Sequence, residues 1–356
     1  MDFSLFYILY RPEDMTEAQV HEDMLEESIL ADELGYSCVW YAEHHFSRVG
    51  MIPDPLLICA AVAQKTKKIH VGTAISIMSF HDPIRLAEQA AMVDLLSGGR
   101  LELGIGRGSQ PKEFQGFGAK PSESRERLKE GLHILSRLLE GQKVTFEGRH
   151  HQCADVEIFP KPLQRPRPPI WLAGTSPETY TYAGENGFKV MASAGFTGPE
   201  VYKQKFGLYE DAIRKSGGDP AGIDRPLVHH IHVCDAADAK ECFDLTVEGE
   251  GEYLRYRAKM NEVEMPEDEA KHLKRNWSYE LDVAEIVRGG GIIADPGAVA
   301  EDICRLRDDY GVNHVILAPW RGPDHAAVMR SIESFASDVM PLVNATAPVG
   351  TGGSQP

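Results

Sequence analysis

Apolar runs of strand length alternate with amphipathic segments of helix length along most of the chain. FSLFYILY (3–10) gives way to MTEAQVHEDMLEESILADELG, where Thr16 is placed to cap a helix and Gly35 to close it. SCVWYAEHH, DPLLICAAVAQKT and IHVGTAISIM (69–78) follow, then DPIRLAEQAAMVDLLSGG, with Asp82 as a cap and Pro83 at the first helical position. RLELGIG leads through a glycine-rich loop into SESRERLKEGLHILSRLLEG. The pattern resumes with PIWLAG (169–174), SPETYTYAGENG, FKVMASAG, GPEVYKQKFGLYEDAIRKSGG and RPLVHHIHVC. VNHVILAPW (312–320) and a helix from Asp324 to about Leu342 complete it. Strands are thus expected to begin near residues 3, 36, 69, 100, 169, 188, 226 and 313. Repeated βα units require parallel strands with crossover helices, which argues for one α/β domain over residues 1–343, a (β/α)8 TIM barrel.

Two segments break the repeat. Residues 143–168 read as a short hairpin with a proline-rich return, inserted after the fourth long helix. Residues 249–297 hold a charged helical segment, a Met/Glu-rich stretch and the triplet Gly289-Gly290-Gly291. An irregular insertion with a glycine hinge before the last strand is a candidate active-site lid. The tail ATAPVGTGGSQP (345–356) is expected to be disordered.

Composition narrows the function classes. Of 356 residues, 42% are hydrophobic and 26% charged, the profile of an ordinary globular protein. A formal charge of -17 opposes binding to nucleic acid or to an anionic membrane surface. No run approaches the roughly 20 apolar residues of a membrane helix, and the first residues carry acids where a signal peptide carries bases. The six cysteines form no CxxC pair and read as reduced, buried, structural thiols. A cytoplasmic location is expected.

In such a barrel the chemistry sits at the C-terminal ends of the strands. The second strand ends in Glu43-His44-His45, which by itself fits a metal site, a pair of surface histidines or a catalytic base. In an extended strand the two imidazoles would point to opposite faces, which opposes joint ligation of one metal. HHQC (150–153) mimics a metal site but lies in the insertion without further ligands. The fourth strand ends in GIGRGSQ, where Gly106 and its neighbours allow close backbone approach and Arg107 offers a bidentate contact to an anion. The fifth ends in Gly174-Thr175-Ser176, which opens a helix with hydroxyls and free backbone N–H groups, a ready phosphate receptor. GIGRGS also imitates a dinucleotide loop, but the acid expected about 20 residues later falls inside a helix. His230 and His232 share one strand face and, with Trp320, are candidate substrate contacts.

Taken together, EHHF, VGTA, the HDPIRLAEQ helix start, SGGRLELGIGRG and AGTSPET resemble the bacterial luciferase-like flavin monooxygenases, in order and spacing, from residue 1 to about 343. The resemblance implies a barrel that takes reduced FMN (FMNH2) from a separate flavin reductase, combines it with O2 through a C4a-peroxyflavin, and oxygenates a small organic substrate. It assigns Arg107, Thr175, Ser176 and Thr179 to the flavin phosphate, and Glu43 and Glu88 to the polar edge of the ring. Ala74-Ile75 matches the position of a non-prolyl cis peptide beneath the ring, and His44 the catalytic histidine, with His45 as its structural neighbour. It also implies a homodimer through the segments LLICAAVAQ and AEQAAMVDLL, with a heterodimer of related chains as the alternative.

One departure limits the analogy. Many light-emitting relatives carry a reactive cysteine where this chain has Gly106, so neither light emission nor an aldehyde substrate is expected. The space so opened, together with Phe80, Phe114, Phe117 and Trp320 near strand ends, suggests a ring-containing substrate. A deazaflavin-dependent dehydrogenase transferring hydride and a non-catalytic flavin-binding barrel are the other readings.

Overall fold

A computed structural model describes residues 1–193, 198–273 and 282–346. The chain begins β1 (Asp2–Tyr7), α1 (Glu17–Leu34), β2 (Cys38–Tyr41), α2 (Pro55–Ala63), β3 (His70–Ile77), α3 (Pro83–Ser97) and β4 (Leu101–Gly106). It continues α4 (Pro111–Phe117), α5 (Ser124–Leu139), a hairpin of β5 (Val144–Glu147) and β6 (Gln152–Val156), β7 (Ile170–Ala173), α6 (Pro177–Glu185) and β8 (Lys189–Ser193). Then come α7 (Pro199–Lys215), β9 (Pro226–Val233), α8 (Ala239–Met260), α9 (Glu267–Ala270), α10 (Val283–Gly290), β10 (Gly291–Ala294), α11 (Pro296–Arg305), β11 (His314–Ala318) and α12 (His325–Ser334).

Strands β1, β2, β3, β4, β7, β8, β9 and β11 pair in that order, all parallel, and β11 returns to β1 to close the barrel. These are the eight strands anticipated from the hydrophobic pattern. The helices also start where their caps stand. Thr16 accepts from Gln19 N while the Gln19 side chain accepts from Thr16 N, and Asp82 accepts from Ile84 N and Arg85 N.

Alternation along β2 divides the core. Val39 and Tyr41 join the cluster between barrel and helices, whereas Cys38 and Trp40 point inward with Trp171, Met191 and Ile316. The rings of Trp40 and Trp171 meet edge-on at 5.3 Å and plug the barrel. Gly72 makes this plug possible, because a Cβ there would lie 2.3 Å from Trp40 Cε3.

Several expectations are corrected. β1 stops at Tyr7, and Tyr10 forms only an isolated bridge with Val49. The glycine-rich loop after β4 contains a helix, α4. The glycine triplet is not a loop hinge, since Gly289 and Gly290 end α10 and Gly291 opens β10, an additional strand parallel to β9. Gly291 is required by close approach, because a Cβ there would lie 2.0 Å from His230 O. Only Cys38 and Cys59 are buried; Cys153, Cys234, Cys242 and Cys304 are partly exposed, and all six are free thiols. Ala194 at the end of the sixth barrel strand, part of the candidate lid (274–281) and the tail from 347 onward lie outside the described residues. Among the described residues no helix is long and apolar enough to cross a membrane.

Candidate active site

The residues after β2 leave the strand and are tied to its neighbours. Ala42 N donates to Tyr7 O, Glu43 N to Ile75 O and His44 N to Ile52 O. Because the strand has ended, His44 and His45 are separated not by strand alternation but by two different carboxylates. His44 Nδ1 donates to Glu113 Oε1 at 2.8 Å, and His45 N donates to the same oxygen at 3.1 Å. His45 Nε2 donates to Glu43 Oε1 at 2.9 Å. Glu43 Oε2 accepts from His81 Nε2 at 2.8 Å and from Ile77 N at 3.0 Å. Gly50 leaves room for this arrangement, with φ 83° and an ideal Cβ that would lie 2.4 Å from His44 Cβ.

Both carboxylates are buried. Burial pushes the Glu43 carboxyl up, but the hydrogen bonds from His45, His81 and Ile77 outweigh it and leave Glu43 below its ordinary value. Burial alone would lower His81, yet the Glu43 carboxylate holds it above its ordinary value. Glu43 is therefore a saturated anion at the centre of the array. Glu113 differs, since its Oε2 is buried with no hydrogen-bond partner among the described residues. The His44 ring, held through Nδ1, has Nε2 as its free acceptor in the neutral tautomer.

Next to this array lies the end of β3. The Ala74–Ile75 peptide is cis, and the register of β3 against β4 shifts between Thr73 and Ser76. A Cβ on Gly106 would lie 1.8 Å from Ile75 Cδ1 and 3.7 Å from Ala173 Cβ, so the ends of β3, β4 and β7 converge on this glycine. With Ile105 paired to Leu172, Arg107 stands beside Gly174 at the head of α6.

The Arg107 guanidinium is half-buried and donates one long hydrogen bond, 3.3 Å to Ser124 Oγ. No carboxylate among the described residues pairs with it. Burial, and then the neighbouring Arg125, lower its pKa. Ser176 caps α6 without a side-chain bond to the helix backbone, and its Oγ meets Thr179 Oγ1 in the first turn at 3.3 Å. Thr175 N is folded back onto Ala173 O.

Residues fitting a phosphate-bearing flavin are thus in place. Neither Arg107 nor the neighbouring Arg125 pairs with a carboxylate among the described residues, and the N-terminus of α6 lies near Arg107. Ser76 Oγ in β3, and both amide atoms of Gln110 and Glu113 Oε2 at the start of α4, are buried without partners among the described residues. Ile75 Cδ1 occupies the place that a Cβ on Gly106 would take, so the space expected beside Gly106 is already filled by that side chain.

The family model for luciferase-like monooxygenases matches residues 1–314. The chain belongs to this family. Its members named below place it among flavin-dependent enzymes that oxygenate their substrates. It is 33% identical to the oxygenase component of a flavin-dependent trigonelline monooxygenase of Acinetobacter baylyi, over 67% of this chain and 66% of that one. It is 25% identical to the alkanal monooxygenase alpha chain of the Kryptophanaron alfredi symbiont, over 96% of this chain and 98% of that one. Among solved structures, monooxygenase RslO1 of Streptomyces bottropensis superposes with a TM-score of 0.80 at 28% identity, covering 96% of this chain and 99% of that one.

Within this family member, the strand-end residues expected from sequence are distributed unevenly. His44, Glu43, Ala74, Ile75, Gly106, Arg107, Thr175, Ser176 and Thr179 gather at the ends of β2, β3, β4 and β7. Glu88 does not join them: on outer helix α3 its side chain is 37% exposed and pairs with Arg85. His230 and Trp320 stack at 4.3 Å beside a separate cavity. His232 is buried and pushed down to about 4 by burial and Arg330, and it is not among the cavity's lining residues. Phe114 is buried core, whereas Phe80 and Phe117 stack on each other at 4.7 Å and flank His45. His150 meets Glu126 at 3.0 Å, and no group of three or more His, Cys, Asp or Glu among the described residues is arranged to hold a metal. Glu113, His81, Gln110 and Arg125 are site residues that the sequence pattern did not single out.

Proposed function

We propose that the chain is the oxygenase component of a two-component monooxygenase, taking reduced FMN from a separate reductase and inserting one atom of O2 into a small organic substrate while the other leaves as water. The observation that carries this reading is the unpaired Arg107 beside the head of α6, next to the Glu113-held imidazole of His44. Arg107, Arg125, Ser176 and Thr179 would hold the phosphate, and the surface formed by Gly106, Ile75 and Ala173 would face the ring. Bound reduced FMN supplies the electrons that activate O2.

The residues of the chain do the rest. Glu113 fixes His44 with Nε2 turned away from the carboxylate, so that this atom accepts a proton from substrate and later returns it. Glu43, held by His45, His81 and Ile77 N, locks the loop that carries His44. Phe80, Phe117 and Phe46 shield that side from water.

Solvent-facing Leu57, Met92 and Leu96, at 67%, 51% and 50% exposure, form an apolar face on and beside α2 and α3, through which we propose a homodimer. Anaerobic titration tests the cofactor reading: reduced FMN should bind in preference to reduced deazaflavin cofactor. Tighter binding of the deazaflavin, with substrate oxidised in the absence of O2, would replace oxygenation by hydride transfer.

A further inference from the structure

A cavity of about 530 Å³ opens where β1 and β11 end, walled by residues of α1, α8 and α12. It contains none of the residues assigned above to the flavin phosphate or to the His44–Glu113 pair. It nevertheless adjoins the barrel mouth, because Phe6 in its wall and Ala74 of the cis peptide both pack on the Trp40–Trp171 plug.

The lining is aromatic and acidic. Phe6, Tyr7, Tyr10 and Trp320 line it, with Tyr7 stacked on Tyr41 and Trp320 on His230. Asp14, Asp23, Glu27, Glu248, Glu252 and Asp324 supply carboxylates. The cations present are already engaged: Arg321 Nη1 donates to Glu250 Oε1 at 2.8 Å, and His325 meets Glu27 and Glu26 at 3.1 Å each. Asp14, Asp23 and Glu248 pair with no cation among the described residues. His230 adds no positive charge near neutrality, since burial pushes it down to about 4.

A second observation points to a ligand. Trp320 is 4% exposed and lines the cavity, and its indole Nε1–H, a donor without acceptor capacity, has no partner among the described residues. A buried donor left empty is costly, and a ligand oxygen would satisfy it. Aromatic rings with unneutralised carboxylates favour a cation, and the same carboxylates repel a simple anion.

We propose that this cavity selects a small organic cation that also carries an acceptor oxygen, as the substrate class of the oxygenase site; the assignment to substrate rests on the function proposed above. The test is binding to the full chain without flavin, measured by calorimetry with two isosteres, 4-(trimethylammonio)benzoate and 4-tert-butylbenzoate. The first should bind about tenfold or more tightly, and its advantage should shrink as salt rises. An Asp23→Asn/Glu248→Gln double variant should abolish that preference. Trp320→Phe should weaken 4-(trimethylammonio)benzoate and leave trimethylanilinium, which lacks the acceptor, unchanged. Equal or tighter binding of the uncharged-tail isostere, or a preference that survives the double variant, would overturn the proposal. Because the assay contains no flavin, failure of reduced FMN to bind would refute the cofactor reading and leave this result standing.

Discussion

Truncating Arg107 to alanine isolates the phosphate interaction. In the free protein its guanidinium makes a single long bond, 3.3 Å to Ser124 Oγ, so four of its five N–H donors are left without a partner among the described residues. Removing it from the fold should cost no more than about 1 kcal/mol. A bidentate contact to phosphate at this half-buried position is worth about 2 to 4 kcal/mol, or about 30- to 700-fold in Kd. Arg125 remains nearby and keeps the loss from growing further. The assay is paired titration with FMN and riboflavin, followed by flavin fluorescence, alongside thermal melting of both proteins. Arg107→Ala should weaken FMN by that factor while riboflavin, which has no phosphate, binds as before. Equal weakening of both flavins, or of neither, would refute the phosphate assignment.

Further outcomes follow from the same geometry. Glu113→Gln keeps the shape but removes the charge beside His44, so kcat should fall by about 10² to 10⁴ while reduced FMN binds normally; unchanged kcat would return Glu113 to scaffolding. Gly106→Ala meets only the tip of Ile75, which must swing toward the barrel mouth; flavin affinity should drop by about 1 to 3 kcal/mol with little change in melting temperature, and calorimetry would show it. The Glu43–His81 pair should stabilise the fold most between pH 4.5 and 6.5, their ordinary values. Glu43 is lowered, so its contribution is present above 4.5 and lost as pH falls through its folded value. His81 is raised, so its contribution is complete below 6.5 and lost as pH rises through its folded value. Melting curves of His81→Gln should show a smaller alkaline fall, the remainder including that of His325, raised to about 9 by Glu27, and a profile identical to wild type would count against the pairing.

The barrel was legible because period and caps agree locally. Strand ends, Thr16, Asp82 and the glycines that close the helices each act within a few residues, so sequence order carries them. The nearness of Arg107 and Ser176 was equally visible, since they follow strands that pair directly. Glu113 was not visible. It reaches His44 across 69 residues from a helix of 7 residues inside what reads as a glycine-rich loop, and no local signal marks its direction. Strand alternation does not apply to His44 and His45 for a related reason: β2 ends at Tyr41, and tertiary hydrogen bonds set both rings. Glu88 keeps the family's place in sequence while its side chain pairs with Arg85 at the surface. β10 was hidden because its four residues depend on Gly291 passing close to β9, a condition of packing rather than of pattern.

The central claim is that this chain transfers an oxygen atom from O2. The direct measurement is mass spectrometry of products formed from a panel of small ring-containing cations under ¹⁸O2, with reduced FMN regenerated by a flavin reductase. A product that gains one ¹⁸O atom, and only when chain, reduced FMN and O2 are all present, is the predicted result. Conversion that carries no label, or that proceeds without O2 on a deazaflavin cofactor, would contradict the account.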